Sequence, residues 1–302
     1  METERHSPRY SAIEAWSPGD ILDAMIEGQF AAVAAVRAAR PALAEAALAI
    51  EPRLRDGGRL TYAGAGTSGR LAVQDGAELM PTFSWPQERL LLLIAGGREA
   101  LVQSVEGAED ESEEAIRLVE RCEIDRHDVL IAVAASGTTP FTLACLRAAK
   151  QRGALTVAIA NNRDTPLLAD ADHPIWLDTG PEPIAGSTRM KAGTAQRIAL
   201  NLLSSLVMIR LGRVYRGLMV DLKAVNKKLI RRGEKILLEL SGGSREEVHE
   251  ALHQAGGNVK TALLLLEGCD LEEAARMLNR SGGRLHEAKA MLETQRGPRK
   301  QP

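Results

Sequence analysis

Five short apolar runs constrain the fold more than any other feature of this chain: RLTYA (59–63), LLLLIA (90–95), VLIAVAA (129–135), LTVAIA (155–160) and HPIWL (173–177). Their apolarity is continuous rather than alternating, which is the pattern of strands buried on both faces. Helical patterns such as EDESEEAIRLVE and TLACLRAAKQRG lie between them. Strands alternating with helices predict an α/β protein built on a doubly wound, parallel, five-stranded sheet. An alanine-rich stretch over 21–54 predicts helix before the first strand, and a long helical pattern covers 194–211 after the fifth. The expected division is an N-terminal helical lead (1–48), the α/β domain (49–215), a helical connector (216–235) and a small helical domain (236–296).

Composition removes several function classes. The 302 residues carry a formal net charge of -2, so no global field favours nucleic acid or an anionic membrane. Aromatic residues make up 3%, too few for a base-stacking surface. Cys122, Cys145 and Cys269 are far apart and form no C-x-x-C, which fits a reduced, cytoplasmic protein. The polar N-terminus has no signal-like apolar stretch. The greasiest later run, IALNLLSSLVMI (198–209), is too short and too polar to span a bilayer.

The tail contains HEALH (249–253), a match to the H-E-x-x-H zinc-protease pattern. In that pattern two histidines one helical turn apart bind the metal and the glutamate activates its water. The extended pattern puts its third ligand at position 259, which is Val259 and cannot ligate. The tail also repeats itself: LHQAGGNVKTALLLL (252–266) aligns with LNRSGGRLHEAKAML (278–292) at a constant shift of 26. Gly-Gly closes one helix and the next apolar residues start another. Val248, Leu252 and Val259 are then core positions of a module resembling ubiquitin-associated-type three-helix domains. HEALH reads as structural helix, and no metal site is expected.

Two loops carry chemistry. The first strand runs into GAGTSG (64–69), which fits the G-x-G-x-x-G dinucleotide fingerprint. That fingerprint also needs an acid at the end of the second strand to hold a ribose, and here the strand ends in Ala95-Gly96-Gly97. What the loop does offer is the hydroxyls of Thr67 and Ser68 and the backbone N–H groups of a helix start, which suit one phosphate. A glycine-rich turn with a Ser/Thr cap is the plain alternative. The third strand ends in ASGTTPF (135–141), where Ser136, Gly137, Thr138 and Thr139 again lie between strand and helix. Two such loops at the carboxyl ends of parallel strands favour a phosphate-binding crevice.

GAGTSGRL, GAELMPTF, SVEGAEDE, ASGTTPF, GSTRMKAGTAQR (186–197) and LMVDLKAVNKKL (218–229) together resemble the N-acetylmuramic acid 6-phosphate etherases, bacterial cytoplasmic lyases on the sugar isomerase (SIS) fold. The resemblance covers nearly the whole chain. It departs around AVQDGAELMPTFSWP, where the family has a Leu-Asp-Ala-Ser-Glu-Cys-Pro-Pro type run, although Asp75, Glu78 and Pro81 remain.

The resemblance implies release of D-lactate from the C3 ether of the sugar phosphate. The C2 proton must go to a base and the C3 oxygen must receive a proton, for which two carboxyl groups suffice without metal or nucleotide cofactor. By the same resemblance Glu78 is the acid and Glu109 the base. Leu79, Met80, Pro81 and Phe83 around Glu78 predict an apolar setting that keeps it protonated. Thr67, Ser68, Ser136, Gly137, Thr138 and Thr139 are expected to hold the phosphate, with Lys191 as charge partner. A homodimer with a site completed across the interface is expected, and the 194–211 helix is the candidate contact surface. Two other readings remain: a non-catalytic sugar-phosphate regulator on the same fold, and an aldose–ketose isomerase, which would release no lactate.

Overall fold

The computed structural model describes residues 1–222, 224 and 227–296. The run 218–229 therefore crosses positions 223, 225 and 226, which lie outside the described residues. The chain forms two compact units, Met1–Glu78 with Pro86–Ser205, and Leu79–Trp85 with the chain from Leu206 onward.

The first unit opens with three short 3₁₀ turns and two helices, α1 (Pro18–Ala38) and α2 (Arg40–Arg55). Ser17 caps α1 by accepting the Asp20 N–H. The helical stretch expected over 21–54 is thus broken at Ala39, because Pro41 enters α2 in its first turn and has no N–H to continue the ladder. There follow β1 (Leu60–Gly64), α3 (Gly66–Phe83), β2 (Leu90–Ile94), α4 (Ser112–Arg121), β3 (Val129–Val133), α5 (Pro140–Gln151), β4 (Leu155–Ala160), α6 (Pro166–Asp170), β5 (His173–Trp176) and α7 (Lys191–Arg210). All five apolar runs are strands, in the order β2-β1-β3-β4-β5 and parallel throughout. β1 and β3 are buried along their whole length, which is why their sequences show no alternation. Pro174 is accommodated because β5 is an edge strand. One face of the sheet packs Leu93, Leu130 and Ala158 against Phe141, Cys145 and Leu146 of α5 and Ala115 and Val119 of α4.

The second unit carries a small hairpin, β6 (Val214–Tyr215) and β7 (Leu218–Met219), whose turn and second strand fall inside the stretch 216–235 expected to be helical connector. Arg216 and Gly217 both take positive φ, 49° and 77°, the geometry of a two-residue primed turn. Five helices follow: α8 (Lys227–Ser241), α9 (Arg245–Gln254), α10 (Val259–Leu266), α11 (Leu271–Arg280) and α12 (Leu285–Arg296). Their core includes Leu237, Val248, Leu252, Val259, Leu263, Ala274 and Ala288. The sequence repeat is a repeat of structure. The N–H groups of Gly257 and Gly283 bond back to Leu252 O and Leu278 O at 2.9 and 2.7 Å, closing α9 and α11 in the same way. His249 of HEALH bonds through Nδ1 to Glu234 of α8 at 2.8 Å. Among the described residues no group of three or more His, Cys, Asp or Glu side chains is arranged to hold a metal.

This unit also contains a buried ion relay. Asp221 accepts from Lys260 Nζ at 3.1 Å and from Arg213 Nη1 at 2.9 Å. Arg213 in turn donates to the carbonyls of Phe83 and Ser84 and lies over the Trp85 ring at 5.0 Å. Among the described residues no helix is long and apolar enough to cross a membrane.

Candidate active site

The strand order reverses between β1 and β3, so the loops that follow them open side by side at the carboxyl edge of the sheet. This is the crevice in which open α/β sheets bind ligands. In the first loop Gly64 and Gly69 are in backbone contact: a Cβ on Gly69 would lie 2.8 Å from the Gly64 carbonyl. α3 therefore starts directly on the strand end. Its first-turn N–H groups have no helical acceptors, Thr67 is half-buried, and Ser68 is 9% exposed. The first turn of α7 packs on the same loop, with the Cβ position of Gly193 3.6 Å from Thr67 Cγ2 and from Leu71 Cδ1. The GSTRMKAGTAQR segment is thereby brought to the GAGTSG loop from more than a hundred residues away.

In the second loop Gly137 sits at φ 70°, and a Cβ there would come 2.3 Å from Thr165 Oγ1. Ser136 Oγ accepts the Thr138 N–H at 3.2 Å and lies 3.2 Å from Thr139 Oγ1. Both loops thus present hydroxyls and a helix start to one crevice. Glu109 stands exposed in a 3₁₀ turn, Ala108–Asp110, in the connection from β2 to α4.

Lys191 begins α7, and Glu78 sits late in α3. Lys191 is 5% exposed and packs against Gly28 of α1. Its ammonium is held below the usual lysine range by burial and by Arg9, with Glu182 and Asp178 opposing. Glu182, itself buried, accepts the N–H groups of Lys191 and Ala192 at 3.2 and 2.9 Å and so caps α7. Burial raises the Glu182 carboxyl, against those two hydrogen bonds. Glu78 is ten residues along α3 from Ser68, about 15 Å at 1.5 Å per residue. It is exposed rather than sheltered. Its apolar sequence neighbours are not around it, since Leu79 is buried and Met80 faces solvent.

Glu78 lines a cavity of about 120 Å³ together with Leu71, Gln74 and Asp75 of α3 and Arg197 and Asn201 of α7. Asp75 accepts from Tyr62 Oη at 2.7 Å and from Ser204 Oγ at 3.2 Å. Burial raises its carboxyl above the usual range, with the two hydroxyls and Arg197 opposing. Burial and the Asp75 charge push the Tyr62 phenol up. Arg197 donates to Gln74 Oε1. Arg197, Asn201 and Ser204 have one signal in the sequence, their spacing along one face of an apolar helix, and Tyr62 on β1 has none.

The fold and the two hydroxyl-bearing loops define an SIS-domain protein. Residues 101–206 match the SIS domain family, and residues 42–150 match the glucokinase regulatory protein N-terminal SIS domain. A phosphoheptose isomerase structure from Francisella tularensis shares the fold, with a TM-score of 0.50 at 20% identity over 64% of this chain and 100% of its own. The particular family follows from closer relatives. The chain is 52% identical over 265 residues to an N-acetylmuramic acid 6-phosphate etherase of Deinococcus radiodurans, covering 88% of this chain and 87% of that one. It is 42% identical over 299 residues to the etherase of Edwardsiella ictaluri, covering 98% and 95%. The chain belongs to the N-acetylmuramic acid 6-phosphate etherase family.

Proposed function

We propose that this chain cleaves the D-lactyl ether of N-acetylmuramic acid 6-phosphate, giving N-acetylglucosamine 6-phosphate and D-lactate. The observation that carries the reading is the 52% identity to a named etherase over most of both chains. It is supported by two anion-suited loops in one crevice and by a carboxylate at both expected positions, 78 and 109. Thr67, Ser68, Ser136, Gly137, Thr138 and Thr139 bind the phosphate, and buried Lys191 adds positive charge behind them. Glu109 takes the C2 proton of the open-chain sugar, and the C3–O bond breaks as Glu78 protonates the ether oxygen. Water then adds at C3 of the unsaturated aldehyde, so the net change is hydrolysis. These steps need no metal or nucleotide cofactor, and the setting is the cytoplasm.

The enzyme acts as a homodimer whose sites are completed across the interface. Ser68 and Glu78 are about 15 Å apart in backbone rise along one helix, and in this reading a second copy supplies Glu78 to the loops of the first. The surface for this pairing is α1 rather than α7. Leu22, Ile26, Phe30 and Val33 form one exposed apolar stripe on α1, with Phe30 at 71%. On α7 most apolar side chains are spent on its own cores, leaving Leu202 and Ile209 exposed.

The match to the glucokinase regulatory protein domain favours a second reading, a non-catalytic sugar-phosphate sensor. Incubation with N-acetylmuramic acid 6-phosphate and an assay of D-lactate separates the two. NMR in deuterated water then tests the roles. Glu109→Gln should lose both C2 exchange and lactate release, whereas Glu78→Gln should lose release and keep exchange, each by about 10²–10⁴-fold or more. Exchange kept in Glu109→Gln and lost in Glu78→Gln would reverse the assignment.

A further inference from the structure

The cavity beside Glu78 has a chemistry that the proton-transfer steps leave unused. Its walls are α3, through Leu71, Gln74, Asp75 and Glu78, and α7, through Arg197 and Asn201. At about 120 Å³ it has room for a small group such as a three-carbon acid. Among the described residues lining it, Arg197 is the one cation. Arg197 is exposed, and its guanidinium is oriented by Gln74 Oε1. Asn201 stands one helical turn further along α7, so its amide faces the same space. Asp75 sits deeper, with one carboxylate oxygen engaged by Tyr62 and the other by Ser204.

The proposed substrate dictates what must lie here. Its lactyl carboxylate is two bonds from the ether oxygen, so a group that binds it must adjoin the acid that protonates that oxygen. We propose that Arg197, oriented by Gln74 and assisted by Asn201, is the subsite for the lactyl carboxylate, with Leu71 against the lactyl methyl. This rests on the etherase reading and on Glu78 as its acid. A planar guanidinium with one edge already fixed offers its free edge to a carboxylate in a two-bond fork. The subsite makes Arg197 a specificity-determining residue, because it reads the one part of the substrate that the sugar product lacks.

The test compares two ligands on one variant. Arg197→Met should raise KM for N-acetylmuramic acid 6-phosphate by roughly tenfold to a hundredfold, the loss of a hydrogen-bonded charge partner. The inhibition constant of N-acetylglucosamine 6-phosphate, which has no lactyl group, should stay within about twofold and serves as the check on folding. Arg197→Lys should fall between. In the wild type, the amide of the lactyl carboxylate should be a poorer substrate than the acid, and Arg197→Met should erase that preference. Equal weakening of both ligands, or an unchanged acid–amide ratio, would overturn the subsite while wild-type lactate release stood. Absence of wild-type lactate release would instead overturn the etherase reading beneath it.

Discussion

Replacing Asp221 by alanine should destabilise the helical unit far more than replacing the lysine it holds. Asp221 is the single carboxylate between Lys260 and Arg213 in this relay, whose side chains are 7% and 13% exposed. At an effective dielectric near 20, a contact of about 3 Å is worth roughly 5 kcal/mol of attraction before desolvation is subtracted. Asp221→Ala deletes two such contacts and leaves two buried cations facing each other. Breaking a buried pair this way typically costs about 3–5 kcal/mol, and the 28% exposure of Asp221 points to the lower end, about 3 kcal/mol. Lys260→Met is different in kind: a flexible apolar chain of similar length fills the space, and Asp221 keeps Arg213. Its cost should be about 0–1 kcal/mol. Adding Lys260→Met to Asp221→Ala should recover part of the loss. Trp85, under Arg213, reports on this unit, so urea unfolding followed by its fluorescence in a Trp16→Phe, Trp176→Phe background gives the assay. The pH dependence has a definite sign. Burial lowers the Lys260 ammonium below its unfolded value of 10.5, so the unfolded state binds more protons between the two values. Wild-type stability should therefore rise with pH through that window, and Lys260→Met should flatten the rise. A Lys260→Met variant as unstable as Asp221→Ala would refute the reasoning.

Asp75→Asn should raise the melting temperature at pH 7. Its folded carboxyl is raised by burial, so the stability it contributes is full below its unfolded value and lost as pH rises through the folded one; calorimetry should find the gain shrinking in acid. Gly137→Ala should cost about 1–2 kcal/mol for the left-handed backbone plus the clash with Thr165, and Thr165→Ala should relieve only the clash, as read from denaturant midpoints. Phe30→Glu should yield a folded monomer in light scattering with lactate release lost.

What was legible in the sequence was local. Buried strands announce themselves by unbroken apolarity, and all five runs lie in the sheet, with bounds moved by a residue or two. β1 begins at Leu60 rather than at Arg59, whose side chain turns to Asp128. The two loops were legible for the same reason, since a glycine at a tight approach and a hydroxyl at a helix start sit within a few residues of each other. Groups assembled by tertiary packing left no such mark. Asp75 meets Ser204 from 129 residues away, and Arg197 meets Gln74 from 123. No periodicity within either helix predicts those pairs.

The surroundings of Glu78 failed for a further reason, which bears on function. Consecutive residues on a helix are about 100° apart, so Leu79 and Met80 cannot flank Glu78, and apolar sequence around a carboxylate is not apolar space around it. The same chain also leaves a stripe of four large apolar residues uncovered on α1. The proposed pairing of two copies would cover that stripe and place Glu78 of one copy near the phosphate loops of the other. Phe30→Glu then tests the pairing by mass and by turnover together. A folded monomer that releases lactate at the wild-type rate would separate the interface from the chemistry of Glu78.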